Sequence, residues 1–195
     1  MKKLMMIAVM AIVAMTASAQ NTLRDNGAFT LQPKVGLGLG SFSGEYVKVA
    51  GESDPKTRVG FLVGVEGEYY INSWFSAALG LNYAQQGWKV DDVAAKLDYL
   101  NVPLTADFYV APGLALKTGV QLGFLMNAKS GDSDMKDLCN KTNFSIPIGV
   151  SYEISNFVLD VRYNIGLSKV NKNATDNNKY RSDLVQFTVG YKFEL

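Results

Sequence analysis

From Lys34 to Gly40 the chain alternates Val35, Leu37 and Leu39 with Lys34, Gly36, Gly38 and Gly40. Side chains two residues apart share one face of a strand, so this segment has one apolar face and one face of glycine and charge. The same alternation recurs in eight segments and predicts eight strands. They cover about 29–42 (Leu31, Val35, Leu37 and Leu39 on the apolar face) and 58–70 (Val59, Phe61, Val63, Val65 and Tyr69). The next two cover 75–85 (Phe75, Ala77, Leu79, Leu81 and Tyr83) and 99–109 (Leu100, Val102, Leu104, Ala106 and Phe108). Strands over 114–127 and 144–153 carry Leu116, Val120, Leu122, Phe124 and Met126, then Phe144, Ile146, Ile148, Val150 and Tyr152. The last two, over 157–168 and 184–195, carry Phe157, Leu159, Val161, Tyr163 and Ile165, then Val185, Phe187, Val189, Tyr191 and Phe193.

The connections alternate in length. Long loops are expected at 43–57, 86–96, 128–142 and 169–183, and short turns at Asn72-Ser73, Ala111-Pro112-Gly113 and Ser155-Asn156. An even-numbered antiparallel barrel with one end outside the cell and the other in the periplasm needs that alternation. Each strand has about ten residues or more, enough to cross a bilayer at a tilt of about 45°. Strands of soluble proteins are nearer 5 or 6 residues. The expected fold is therefore all-β: an eight-stranded antiparallel up-and-down transmembrane β-barrel, apolar face to lipid and polar face to a narrow lumen. Aromatic residues gather near strand ends, as interfacial girdles require. Tyr69, Tyr70, Trp74, Phe75, Phe108, Tyr109, Phe157 and Phe193 lie toward the short turns, and Phe42, Tyr83, Trp88, Tyr99 and Phe144 toward the long loops.

Residues 1–19 read differently. Lys2 and Lys3 precede an apolar run from Leu4 to Met15, and Ala17-Ser18-Ala19 supplies small residues for cleavage. This is the pattern of a Sec signal peptide with cleavage after Ala19, and the run is too short for a spanning helix. Export leaves 20–195 as one barrel domain. It holds 17 basic against 18 acidic residues, a net charge of −1 that gives nucleic-acid binding no electrostatic support. Cys139 is the sole cysteine, so it forms no intramolecular disulfide; we read it as a loop thiol without a role.

The chemistry lies on the inner face. Eleven of the 18 glycines share the polar parity, making room for long side chains in a barrel whose interior is just wide enough to be filled. Those side chains are Lys34, Arg58, Lys117, Arg162 and Lys192, opposed by Glu66, Glu68, Asp107, Glu153, Asp160 and Glu194. Charges withdrawn from water are costly unless paired, so a salt-bridge network filling the centre is expected. Catalysis by these carboxylates is not expected. The sequence contains no histidine, which removes Ser-His and His-metal arrangements. Asp132, Asp134 and Asp137 lack the glycine and terminal glutamate of a calcium loop, and no cofactor or metal is expected. Pro103 and Pro147 fall inside strands, where each removes a ladder donor and calls for a bulge or a water.

The run Leu97-Asp98-Tyr99-Leu100-Asn101-Val102-Pro103-Leu104 resembles a strand of the small outer-membrane β-barrel family common in Bacteroidota, the porin-family or PorT-like barrel domain, and the likeness extends over 20–195. Thr188, Gly190, Phe193 and Leu195 are similar to the C-terminal signal read by the barrel-assembly machinery, although many such proteins end in an aromatic. The resemblance implies insertion into outer-membrane lipid by that machinery. The expected role is structural or interactive, through four external loops able to hold extracellular ligands. A narrow porin-like channel is the alternative. A soluble secreted barrel of lipocalin type is a third reading, weakened by the charged interior.

Overall fold

The computed structural model describes residues 26–43, 56–90, 93–130, 133–134, 140–168 and 181–195. The expected signal peptide, its cleavage site and Cys139 fall outside them, as do the side chains of Phe42, Arg58 and Trp88. The strands are β1 (Phe29–Ser43), β2 (Lys56–Asn72), β3 (Phe75–Val90), β4 (Val93–Ala111), β5 (Leu114–Ser130), β6 (Ser133–Asp134), β7 (Thr142–Ile154), β8 (Phe157–Gly166), β9 (Arg181–Tyr191) and β10 (Phe193–Glu194). The eight long strands β1–β5 and β7–β9 pair antiparallel in chain order, and β1 pairs with both β9 and β10, which closes the sheet. Two pieces are appendages: β6 pairs only with β5, and β10 continues β9 beyond Lys192. The result is a closed eight-stranded barrel without a helix among the described residues.

The alternation in the sequence becomes an inside and an outside. Leu79 is 58% exposed and its neighbour Ala78 is 2% exposed, and the same contrast runs along every long strand. Glycine lets side chains lean across to the next strand. A Cβ on Gly149 would sit 2.8 Å from Arg162 Cγ, and one on Gly80 would sit 2.9 Å from Pro103 Cγ. The short turns are tight. The Trp74 N–H donates to Asn72 Oδ1 at 3.0 Å, Gly113 takes φ 75°, and Ser155 takes φ 57°.

Several expectations need correction. The segment expected as a loop at 86–96 is mostly ladder, running from Gln86↔Leu97 to Val90↔Val93. The segment expected at 128–142 likewise begins as strand through Ser130, where β6 folds back. Polar composition does not end a strand whose backbone groups are still paired on both sides.

The prolines cause no bulge. At Pro103 the β3–β4 ladder skips from Leu79↔Leu104 to Asn82↔Asn101, and at Pro147 the β5–β7 ladder skips from Thr118↔Ile148 to Gln121↔Ser145, both without a change of register. The N–H of Tyr109 donates to β3's end at Trp74, and that of Glu153 donates to Gly113 beside β5. Residues of the same parity point their backbone groups the same way, so each proline lacks its donor on the side where the ladder breaks.

Candidate functional site in the barrel lumen

Six charged side chains meet at the centre. Asp107 and Lys117 are register partners on β4 and β5, and Lys117 and Arg162 both pair with Gly149 of β7. The glycine between them lets the two cations approach one space. There Glu66 of β2 accepts from Lys34 Nζ (2.5 Å), Lys117 Nζ (3.1 Å) and both of its oxygens from Arg162 Nη2 (2.9 Å each). Lys117 also lies 2.9 Å from Asp107 Oδ2 and 3.4 Å from Asp160 Oδ2. Arg162 Nε donates to Asp160 Oδ1 at 3.0 Å. Three cations face three carboxylates, all at most 2% exposed, so the cluster is neutral and shielded from bulk water.

A second cluster lies toward the short turns. Lys192 Nζ contacts Glu68 Oε2 (2.7 Å) and Glu153 Oε2 (3.0 Å) and donates to Tyr70 Oη at 2.7 Å and Tyr109 Oη at 3.1 Å. Tyr109 donates to Glu68 Oε1 at 2.6 Å, and Ser76 Oγ donates to the same oxygen at 2.5 Å.

Of the residues singled out from sequence, Lys34, Glu66, Asp107, Lys117, Asp160 and Arg162 are brought together in the first cluster, and Glu68, Glu153 and Lys192 in the second. Arg58 pairs with Gly40 through its backbone, but its side chain is not among those described. Glu194, expected inside, is exposed at the barrel rim, where β10 ends. Tyr70, Tyr109 and Tyr99, expected in the aromatic girdles, turn inward instead. Tyr70 and Tyr99 are 2% and 1% exposed. Their parity carried the signal: Tyr70 shares it with Glu66 and Glu68, and Tyr109 and Tyr99 share it with Asp107 and Asn101. Tyr152, expected against lipid, is also buried, flanked in register by Leu114 and Leu159.

The girdle toward the short turns keeps Trp74, Phe75 and Phe108, with ring centroids 5.2 to 6.4 Å apart, and Phe157 and Phe193, between which Tyr191, not expected there, adds a third ring. In the last strand, Thr188 and Gly190 face inward, and Phe193 and Leu195 face outward. Above the central cluster, Leu62, Ala84, Tyr99 and Leu125 form one row of direct register partners on the inner wall. Among the described residues no group of three His, Cys, Asp or Glu side chains is arranged to hold a metal ion, and the lumen carboxylates are engaged by the chain's own cations.

A closed antiparallel barrel, apolar outside and ionic inside, is an integral membrane barrel, because closure leaves no unpaired edge to face lipid. The chain belongs to the outer membrane protein beta-barrel domain family, whose model matches residues 18–172, and its place is the outer membrane. Its fold is similar to that of Ail, the attachment invasion locus protein of Yersinia pestis, at 16% identity and a TM-score of 0.53, over 86% of this chain and 99% of that one. It is similar also to Neisserial surface protein A, at 22% identity and a TM-score of 0.53, over 86% of this chain and all of that one. At these identities the likeness is one of fold. The search of curated proteins returns no match.

Proposed function

We propose that this is an exported outer-membrane barrel whose lumen is closed by its own charges, and whose role is structural or interactive through the segments at its long-loop end. One observation carries this reading: the neutral cluster around Glu66 draws side chains from five strands into the middle of the barrel. A conducting pore gains from an excess of one charge along a wetted wall. Here Lys34, Lys117 and Arg162 are each held by carboxylate at 3.1 Å or less. The absence of histidine and the engagement of the buried acids favour a non-enzymatic role.

The finer expectations belong to the same proposal. They are membership of the PorT-like branch on the Leu97–Leu104 motif, removal of residues 1–19, and recognition of Thr188, Gly190, Phe193 and Leu195 by the barrel-assembly machinery. Ail has been crystallised with the heparin analogue sucrose octasulfate. That precedent supports including a sulfated sugar among the extracellular ligands to be tried.

The test is planar-bilayer conductance of the refolded protein. A closed lumen gives no steady channels, whereas Lys117→Ala or Arg162→Ala admits leak current. Steady unitary channels in the native protein overturn the closed lumen in favour of a narrow porin-like channel.

A further inference from the structure

The barrel closes where β1 meets the last strand, and that seam is interrupted. β1 pairs with β9 from Ser43↔Arg181 to Lys34↔Gly190, then with β10 at Leu31↔Phe193 and Thr30↔Glu194. Both stretches keep one register, yet Gln32 and Pro33, opposite Lys192 and Tyr191, are not paired across it. The Phe29 carbonyl accepts from the Leu195 N–H, and the Ala28 carbonyl accepts from Tyr70 on the other side. Odd-numbered residues of β1 therefore aim their backbone groups at the last strand. Pro33 is odd, so the donor it lacks is one that the seam needs. Gln32 offers no substitute, since both atoms of its buried amide are without a hydrogen-bond partner.

At the same level Lys192 reaches the rest of the barrel by other routes. Its backbone is tied to the β7–β8 turn: its N–H donates to the Asn156 carbonyl, and Asn156 Nδ2 donates back to its carbonyl, each at 2.8 Å. Its side chain crosses to Glu68 and Tyr70 on β2, Tyr109 on β4 and Glu153 on β7. The central cluster is assembled from β1, β2, β4, β5 and β8, with nothing from β9 or β10. Within the two ion clusters Lys192 is the last strand's single contribution.

We infer that Lys192 is the clasp of the closing seam: its ammonium, bound to three other strands, holds the last strand where Pro33 denies it the backbone ladder. Toward the short turns the remaining ladder is short, the two register pairs Leu31↔Phe193 and Thr30↔Glu194. Opening of that end is opposed chiefly by the lysine.

Hydrogen exchange of the refolded protein in lipid, followed peptide by peptide, tests this. Lys192→Met is expected to speed exchange at 29–35 and 189–195 at least tenfold more than in β4 and β5, while Lys192→Arg stays within about threefold of native. Lys117→Met, which removes the hub of the other cluster, should speed β4 and β5 at least as much as the seam. Pro33→Ala restores the missing donor and should slow seam exchange in the Lys192→Met background. Where Lys192→Met yields no folded barrel, Tyr70→Phe and Glu153→Gln each remove one partner of the lysine and carry the same expectation, with at least a threefold preference for the seam. Exchange that rises uniformly over all strands, or that stays native at the seam, overturns the clasp.

Discussion

Glu66 binds Lys34, Lys117 and Arg162 at once, so removing its charge affects three buried cations together. Glu66→Gln keeps the shape and removes the charge, leaving three buried cations with Asp107 and Asp160 alone. Removing one partner of a buried ion pair costs about 3–5 kcal/mol, because the remaining charge stays desolvated. Glu66 is 1% exposed and serves three partners, which puts the cost at the upper end, about 5 kcal/mol. That is more than a thousandfold in the folding equilibrium at about 1.4 kcal/mol per decade. Lys34→Met brings the cluster back to two charges of each sign. The double variant should then be at least about 1 kcal/mol more stable than the sum of the single losses. The assay is urea unfolding of the refolded protein in micelles, read by tryptophan fluorescence and by heat-modifiable gel mobility. A loss below about 1 kcal/mol for Glu66→Gln, or additivity within about 0.5 kcal/mol, refutes the view of one coupled, desolvated cluster.

The glycine face makes a ranked prediction: a Cβ on Gly119 runs into the Leu104 carbonyl oxygen, whereas one on Gly38 meets Leu184 Cδ1 at 3.0 Å. Gly119→Ala should cost about 1–3 kcal/mol in the same unfolding assay and Gly38→Ala clearly less, because a side-chain tip moves more easily than a backbone carbonyl. On the lipid face, Leu79→Arg should lower stability in vesicles by about 2–4 kcal/mol, while the same change at the rim residue Leu195 should be near neutral. Ser155, in the left-handed region at φ 57°, should accept glycine with a gain of up to about 1 kcal/mol, seen as a higher urea midpoint.

The alternation of Val35, Leu37 and Leu39 with Gly36, Gly38 and Gly40 determined by itself that these strands have two unlike faces, and the stretches between the eight segments pointed to the up-and-down order, although the one expected as a loop at 86–96 is mostly ladder. Parity also named the charges that turn inward, because a strand has only two faces and lipid admits just one kind of side chain. It contained more than the girdle reading allowed: Tyr70 and Tyr109 stood on the inner parity, and only an assumption about aromatic belts put them outside.

Pairing across strands was decided by the tertiary structure alone. Which lysine meets which carboxylate depends on register and shear, and neither leaves a mark in the sequence. Thus Glu66 serves Lys34, 32 residues away, and Arg162, 96 residues away, whereas Glu68, two positions further on, belongs to Lys192 at the other end of the chain. Pro103 and Pro147 stood out in the sequence as strand prolines and Pro33 in the first strand did not, and the edge that each leaves without a donor could not be read at all. Pro33 became informative only when barrel closure set it opposite Tyr191, next to Lys192, whose side chain reaches Glu68 on β2. Closure is a long-range event, so the contacts that complete it are recorded in the fold, while the faces that make it favourable are recorded residue by residue in the chain.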